Sequence, residues 1–544
     1  MESKSVLGRI VLWGASTTTF LVTPFFSYDP INVPRFLSLL LFAFMGFFII
    51  LGMKKQIFSS RYRRTFLGIY AFMLWSVVAV FASGVNLTEG FFGVTGRQTG
   101  LLAYLALVVL MSASVLTSNS AASKRLALAL VLLGTASGFY GVIQALGADP
   151  FDWINPYSPV FGFFGNPNFQ ASFMGMAAVG TVALIFDKKM NMLNRFGLFI
   201  FVLLSIFNIY KSKSQQGYLV FLAGIVVIGY LLVRSHLKLQ KLTPLYVVAT
   251  IVGFIAVILD ILQKAPWNSI LYKDSVSYRG DFWRAGWRMT MDHPIFGVGF
   301  DGYRDHYRTS RDLVTALRPG SDALTDSAHN VFLDISSAGG FPLLATYIFL
   351  VGLTVVAAIK VIRRNKEFDV AFASILAVWV AYLAQSIISI NQLGLAVWGW
   401  VLMGSIIGYE INTREKTEII KVKSTYATSA ISLGLILGLS LGIPLMVADA
   451  TFRSTVKSGD VLKIEASIRQ WPQSVTRMTY VAEILREGKL PERSIVIARE
   501  AVKFNPMYYE AWRELSLQPN ASEQERDEAI MTMKKLDPYN PNLK

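Results

Sequence analysis

RFLSLLLFAFMGFFIILGM, residues 35–53, carries one charge at its first position and none after it. A run of about 20 mostly apolar residues is what a helix needs to cross a bilayer, where no water is present to pair with backbone groups. Twelve further runs of comparable length lie at 8–26, 65–83, 101–117, 126–146, 168–186, 196–210, 217–233, 244–262, 341–361, 370–389, 394–410 and 428–447. Hydrophobic residues make up 53% of the 544 and charged residues 16%, against roughly 25% charged in soluble domains. The chain reads as an all-α polytopic membrane protein of about thirteen spans. The first run begins beside Lys4 and Arg9 but leads into the turn at Phe26–Pro30 with no small-residue cleavage site, so it reads as a span and not as a secretory signal.

Orientation follows from lysine and arginine, which are retained in cytoplasmic loops. With the N-terminus inside, the inner segments hold 23 of them, and the short outer loops hold four: Arg35, Arg97, Lys211 and Lys213. The large segment 263–342, between the ninth and tenth spans, then lies outside, as does the C-terminal region. Most of the +16 net charge is accounted for by inner loops, so no nucleic-acid partner is implied. Cysteine is absent, which excludes disulfides and thiolate metal sites.

From Asp449 onward the chain is charged and helical in period. Trp471-Pro472, Asn505-Pro506 and Asp537-Pro538 punctuate it at intervals close to the 34-residue period of tetratricopeptide repeats, with small and aromatic residues such as Ala498, Ala501, Ala511 and Trp512 between them. The expected organisation is a transmembrane domain at 1–448, with its outer loop at 263–342, and an extracytoplasmic TPR-like helical domain at 449–544. An irregular helical tail is the alternative.

The outer loop balances nine Lys and Arg against nine Asp, which suits a folded cap with internal ion pairs better than a polybasic tether. Arginine's planar fork binds phosphate oxygens in pairs. In RGDFWRAGWRMTMDHPIFGVGFDGY, residues 279–303, Arg279, Trp283 and Trp287 are spaced by four and share one helical face. That helix stops near Asp292-His293-Pro294. Gly297-Val-Gly299 and Gly302-Tyr303 then form a turn able to approach a ligand, or simply a tight connection between helices. Thr325-Asp326-Ser-Ala-His329-Asn330 precedes the apolar Val331. This places Asp326 as an N-cap and His329 in the first helical turn, where the helix dipole would keep the imidazole neutral and able to accept a proton. A polar residue entering the membrane interface is the plainer reading.

Other outer segments supply partners: Arg97 in Gly93-Val-Thr-Gly-Arg97-Gln-Thr-Gly100, Asn166 and Asn168 at the opening of the sixth span, and Lys211-Ser-Lys213-Ser-Gln215 between the seventh and eighth. Two lysines on the side that the charge bias disfavours fit an anionic ligand or a structural role. Three of the four histidines lie in the loop, but His293, His306 and His329 are 13 and 23 residues apart, a spacing that matches no zinc signature. No metal or other cofactor is expected.

Together these segments resemble the superfamily of O-antigen ligases and O-antigen polymerases, related to bacterial protein O-oligosaccharyltransferases. The likeness covers about residues 60–410. It rests on the Arg279–Tyr303 and Asp326–Asn330 stretches, with Gly165-Asn-Pro-Asn168 and Gly96-Arg97-Gln-Thr-Gly100. The resemblance implies a glycosyltransferase that moves a glycan from an undecaprenyl-diphosphate carrier, on the outer face of the bacterial cytoplasmic membrane, to a lipid, protein or glycan acceptor, without metal or nucleotide. It implies His329 as base or acceptor-orienting group and Arg279 as the diphosphate cation, catalytic residues both. Arg97, Lys211, Lys213, Gln215, Trp283, Asp326, Asn330, Asn166, Asn168 and Tyr303 would form the substrate site. Many family members carry Ser-Arg between the seventh and eighth spans. Here Ser214 is followed by Gln215, which leaves that charge to Lys211 or Lys213, or the diphosphate to a different grip. The tail is an addition to the simplest ligases and could recruit a protein partner. Polysaccharide polymerase, a transporter or flippase of an anionic solute or lipid, and a repeat scaffold anchored by its spans are the alternatives.

Overall fold

A computed structural model describes residues 3–151, 153, 160–261, 274–317, 320, 322–414 and 424–543. Lys264, Lys273, Arg318, Lys416, Lys421 and Lys423 lie outside the described residues. Among those described, all regular structure is helical. Eleven helices are long and apolar enough to cross a membrane. The other two expected spans are also helices: Leu101–Thr117, with 17 residues, and Ser3–Phe20, which is less apolar than the rest.

Close approach of backbones holds the bundle together. The last span, in the 35-residue helix Ser424–Ser458, lies along Asn32–Leu51 with Gly434, Gly438 and Gly442 at the seam. A Cβ at Gly434 would fall 2.5 Å from the Met45 backbone, and one at Gly438 would fall 2.9 Å from Leu41 Cα. Small residues every fourth position admit such contact, and dispersion does the work because lipid offers no hydrophobic drive. Leu393–Arg414 is buried along almost its whole length and packs on Leu101–Thr117 in the same way, through Gly404 and Gly408.

The polar ends of the spans sort into two groups. At one end Tyr409 reaches Asp369 and Ser120, Lys124 pairs with Asp187, and Arg234 bonds Ile362 O. At the other end, the segments at 24–32, 84–100, 160–168, 211–215, 279–317, 322–330 and 389–392 meet one another and the C-terminal helices.

The tenth expected span, 341–361, belongs to a longer helix, Val331–Arg364, broken at Gly339 and Gly340. The break frees carbonyls, and the preceding loop takes them: Val298 N–H donates to Ser337 O at 2.7 Å and Gly299 N–H to Ala338 O at 3.1 Å, while Phe341 N–H returns to Pro294 O at 2.8 Å. Gly297 and Gly340 both have positive φ, and a Cβ at either would lie 2.4 Å from a carbonyl oxygen across this contact. The glycines after Asp292-His293-Pro294 therefore serve a backbone-to-backbone joint.

Beyond the membrane, Ser424–Ser458 continues without interruption past Asp449 and leads into five shorter helices ending at Leu536. Val475–Glu487 with Pro491–Phe504, and Tyr509–Ser516 with Glu523–Leu536, form two antiparallel hairpins, each preceded by one of the prolines at 472 and 506. Their core contains Val481, Ile497, Ala501, Ala511 and Leu515.

Candidate active site

The site lies where the loop helix Asp274–Asp292 faces the start of Val331–Arg364. That start differs from the expected one. Asn330 is the N-cap, its side-chain oxygen accepting from Phe332 and Leu333 N–H at 3.0 and 3.3 Å. His329 precedes the cap in a left-handed conformation, φ 53°, with its own N–H donated to Ser327 Oγ at 2.9 Å. Asp326 is not the cap, because the turn is tied down from inside the helix: Asp334 accepts from Ala328 N–H at 2.7 Å and from the Ser327 hydroxyl. Left-handed geometry is uncommon outside glycine, and here the surrounding bonds over-determine it.

The His329 ring stacks on Phe282 of the loop helix, centroids 5.6 Å apart at 30°. Burial, then the positive charges of Arg97 and Arg279, lower its pKa to about 4, while Asp326 pulls weakly the other way. The imidazole is thus neutral at physiological pH, but desolvation and two guanidinium groups cause this in place of the helix end. Neither ring nitrogen has a hydrogen-bond partner among the described residues, so the lone pair is open to a ligand.

Arg279 and Arg97 differ in what they have left to offer. Arg97 is clamped to Asp326, with Nε to Oδ2 at 2.7 Å and Nη2 to Oδ1 closing the fork. Burial opposes ionisation of Asp326, but Arg97's charge and the paired bonds outweigh it and hold its pKa below the usual carboxylate value. The loop that presents Arg97 is wrapped on Asp301, which accepts from Val94 and Thr99 N–H and from the Thr99 hydroxyl at 2.6 Å. Gly93 has φ 87°, and a Cβ there would sit 2.6 Å from Asp301 Oδ2. Arg97, expected beside the diphosphate, is half of an ion pair with Asp326. Arg279 has no carboxylate partner among the described residues, and burial lowers its pKa. One helical turn on, the indole N–H of Trp283 is buried without an acceptor. Trp287 turns outward, 48% exposed, against Phe341.

Beside the Arg97–Asp326 pair a cavity of about 220 Å³ opens, lined by residues of six distant segments, among them Asn32, Arg97, Asn166, Asp301, Tyr303, Asp326, Asn391 and Gln392. Amides, carboxylates and the rings of Tyr104, Phe164, Phe169 and Phe300 together suit a polyhydroxylated ring, which needs paired hydrogen bonds on its edge and apolar contact on its face. Asn166 caps Pro167–Ile185, and Asn168 accepts from the Ser214 hydroxyl at 2.7 Å, tethering the 211–215 turn to the helix whose cap lines the cavity. In that turn Lys211 ends its helix with Nζ over the Phe207 ring, Lys213 is exposed with φ 56°, and Gln215 begins the next helix. Tyr303 donates to Phe282 O at 2.6 Å.

Sequence reasoning missed Asp301, Asp334 and Ser327, short polar residues in or beside the quoted segments whose roles appear only through the hydrogen bonds that the folded loop makes. No group of three or more metal-ligating side chains occurs among the described residues.

Residues 200–348 match the O-Antigen ligase family model. The O-antigen ligase match runs from the helix before the 211–215 turn, through the outer loop, into the broken helix, and so contains Arg279, Trp283, Tyr303, Asp326, His329 and Asn330 but not Arg97, Asn166 or Asn168. It supports a membrane enzyme of the glycan-transferring, ligase or polymerase type. No match is found among curated proteins.

Proposed function

We propose that this protein transfers a glycan from an undecaprenyl-diphosphate carrier to an acceptor hydroxyl or amine on the outer face of the bacterial cytoplasmic membrane, as an O-antigen-ligase-like glycosyltransferase. The observation that carries it is that the His329 imidazole, without a hydrogen-bond partner among the described residues, stacks on Phe282 of the same helix that carries Arg279, a guanidinium with no carboxylate partner among the described residues. His329 takes the acceptor proton, and the acceptor oxygen or nitrogen attacks the anomeric carbon. The carbon–oxygen bond to the diphosphate breaks with its electron pair staying on the phosphate oxygen. Arg279, with Trp283 N–H, stabilises that developing charge. The Arg97–Asp326 pair and the amides around the cavity hold a sugar ring, and Lys211 or Lys213 meets the outer part of the diphosphate. No metal is required, because guanidinium supplies the charge.

The charge bias supports this sidedness, with the N-terminus cytoplasmic and the C-terminal helices, read as TPR-like repeats, outside. Buried ionisable groups of the spans, such as Arg35 and Glu410, sit near helix ends, which favours an enzyme over a transporter, where mid-span charges are expected. His329→Ala in cells should abolish transfer with insertion intact; unchanged glycosylation removes the base. A deletion strain analysed by glycan-stained gel and mass spectrometry separates ligase from polymerase: one acceptor left bare, or chains shortened.

A further inference from the structure

Three of the outer-loop arginines that this chemistry does not use, Arg304, Arg308 and Arg311, are engaged by the C-terminal helices. Asp537, fully buried at the end of Glu523–Leu536, accepts from Arg308 Nη1 at 2.8 Å and from Arg311 Nη2 at 2.7 Å. Arg308 also bonds Glu510 at 2.7 Å and lies 3.9 Å over the Tyr509 ring. Arg304 bonds Glu89 at 3.1 Å and Thr476 at 3.1 Å and stacks on Tyr508 at 4.4 Å, while Asn505 donates to both Glu89 and Asp305. The helix Tyr303–Ser310 is therefore gripped at both ends by residues 476–537. A neighbouring face of this helix meets the site. Tyr307 packs edge-on to Phe282 at 5.9 Å, Tyr303 bonds Phe282 O, and Phe282 stacks on His329.

A buried carboxylate that two arginines share holds both at once, so its loss weakens the grip at Arg308 and Arg311 together, at the C-terminal end of Tyr303–Ser310. We propose that Asp537 is a positioning residue for the transfer reaction: by fixing Tyr303–Ser310, the C-terminal helical domain sets where Phe282, and through it His329, stands. The proposal rests on reading His329 as the acceptor base.

The test titrates the full-length protein, ¹⁵N-labelled at its four histidines, in detergent micelles by NMR, with His329 assigned from a His329→Gln sample. The charges acting on the ring, Arg97 and Asp326 from neighbouring loops and Arg279 from the loop helix, are untouched by changes at Asp537. In Asp537→Asn the His329 midpoint should rise from about 4 towards the ordinary imidazole value of about 6.5 by a pH unit or more, as Phe282 loosens and water reaches the ring. Asp537→Glu should restore most of it. Arg308→Gln should repeat the rise from the loop side. Where a substitution unfolds the tail, seen as trypsin cleavage after Lys457, the same titration still decides, since a detached tail must release His329 too. A midpoint unmoved in both Asp537→Asn and Arg308→Gln overturns the positioning role. A fully active His329→Ala would instead remove the base and leave the titration result standing.

Discussion

Arg97→Gln gives the sharpest test of how the site sets its protonation. Two effects push the same way: the substitution removes a cation that lowers the His329 pKa, and it uncovers Asp326, which raises it. A base acts in its neutral form, so activity is full above its pKa and falls below it. With a pKa of about 4, about 97% of the imidazole is neutral at pH 5.5, against about 9% for an unperturbed ring of pKa about 6.5. The wild-type protein should thus lose almost none of its kcat/KM between pH 8 and pH 5.5, and Arg97→Gln should lose up to about tenfold over that interval, beyond any constant deficit at both pH values. The double variant Arg97→Gln/Asp326→Asn removes both charges and should fall between the two. The assay is glycan transfer by purified protein in proteoliposomes containing a polyprenyl-diphosphate-linked glycan, with protein quantity checked at each pH. A ratio of rates at pH 5.5 and pH 8 that is the same in wild type and Arg97→Gln would refute the electrostatic account of His329. A wild-type acid limb near pH 6.5 would refute the burial account with it.

Arg279→Gln should lower kcat by about 10² to 10³, the scale of losing one preorganised charge contact to a developing anion, and Arg279→Lys should recover little because the fork is lost; single-turnover donor cleavage measures it. Asn330→Ala should cost about 1 kcal/mol of stability through the lost cap and be rescued by Asn330→Asp, as read by thermal unfolding in detergent; a changed KM at unchanged stability would return Asn330 to substrate binding. Gly340→Ala, at φ 68° and with its new Cβ 2.4 Å from Ile295 O, should cost about 3 kcal/mol or more from backbone strain and overlap, seen as a lower Tm and lost activity together. Gly438→Leu should split the last span from Asn32–Leu51, and a protein that stays monodisperse and active would contradict the glycine seam.

How far the site was legible follows from what kind of signal each residue sends. Arg279 and Trp283 could be placed on one helix because a four-residue spacing is a local property, and the helix indeed ends at Asp292, where proline approaches. His329 could be singled out but not understood. Its helix begins four residues later than the polar cluster implies, since Asn330 and Asp326 are both good caps and the choice fell to Asp334, which ties Ser327 and Ala328 from within the helix. Arg97 and Asp326 are 229 residues apart, and no local pattern announces such a pair. The same holds for Arg308 and Arg311: in the sequence they are two of nine loop cations suited to phosphate, and only the folded tail shows them occupied by Asp537.

The sequence by itself determined that this chain is a bundle of apolar helices with one large polar loop among them and a charged, helical region at the end. A bilayer imposes length and apolarity on every span, and both are written residue by residue. The tertiary structure decided which arginine remains available, why the imidazole stays neutral and what the tail grips. Those depend on burial and on charges brought together from distant segments, and free energy at such a site is set by neighbours in space.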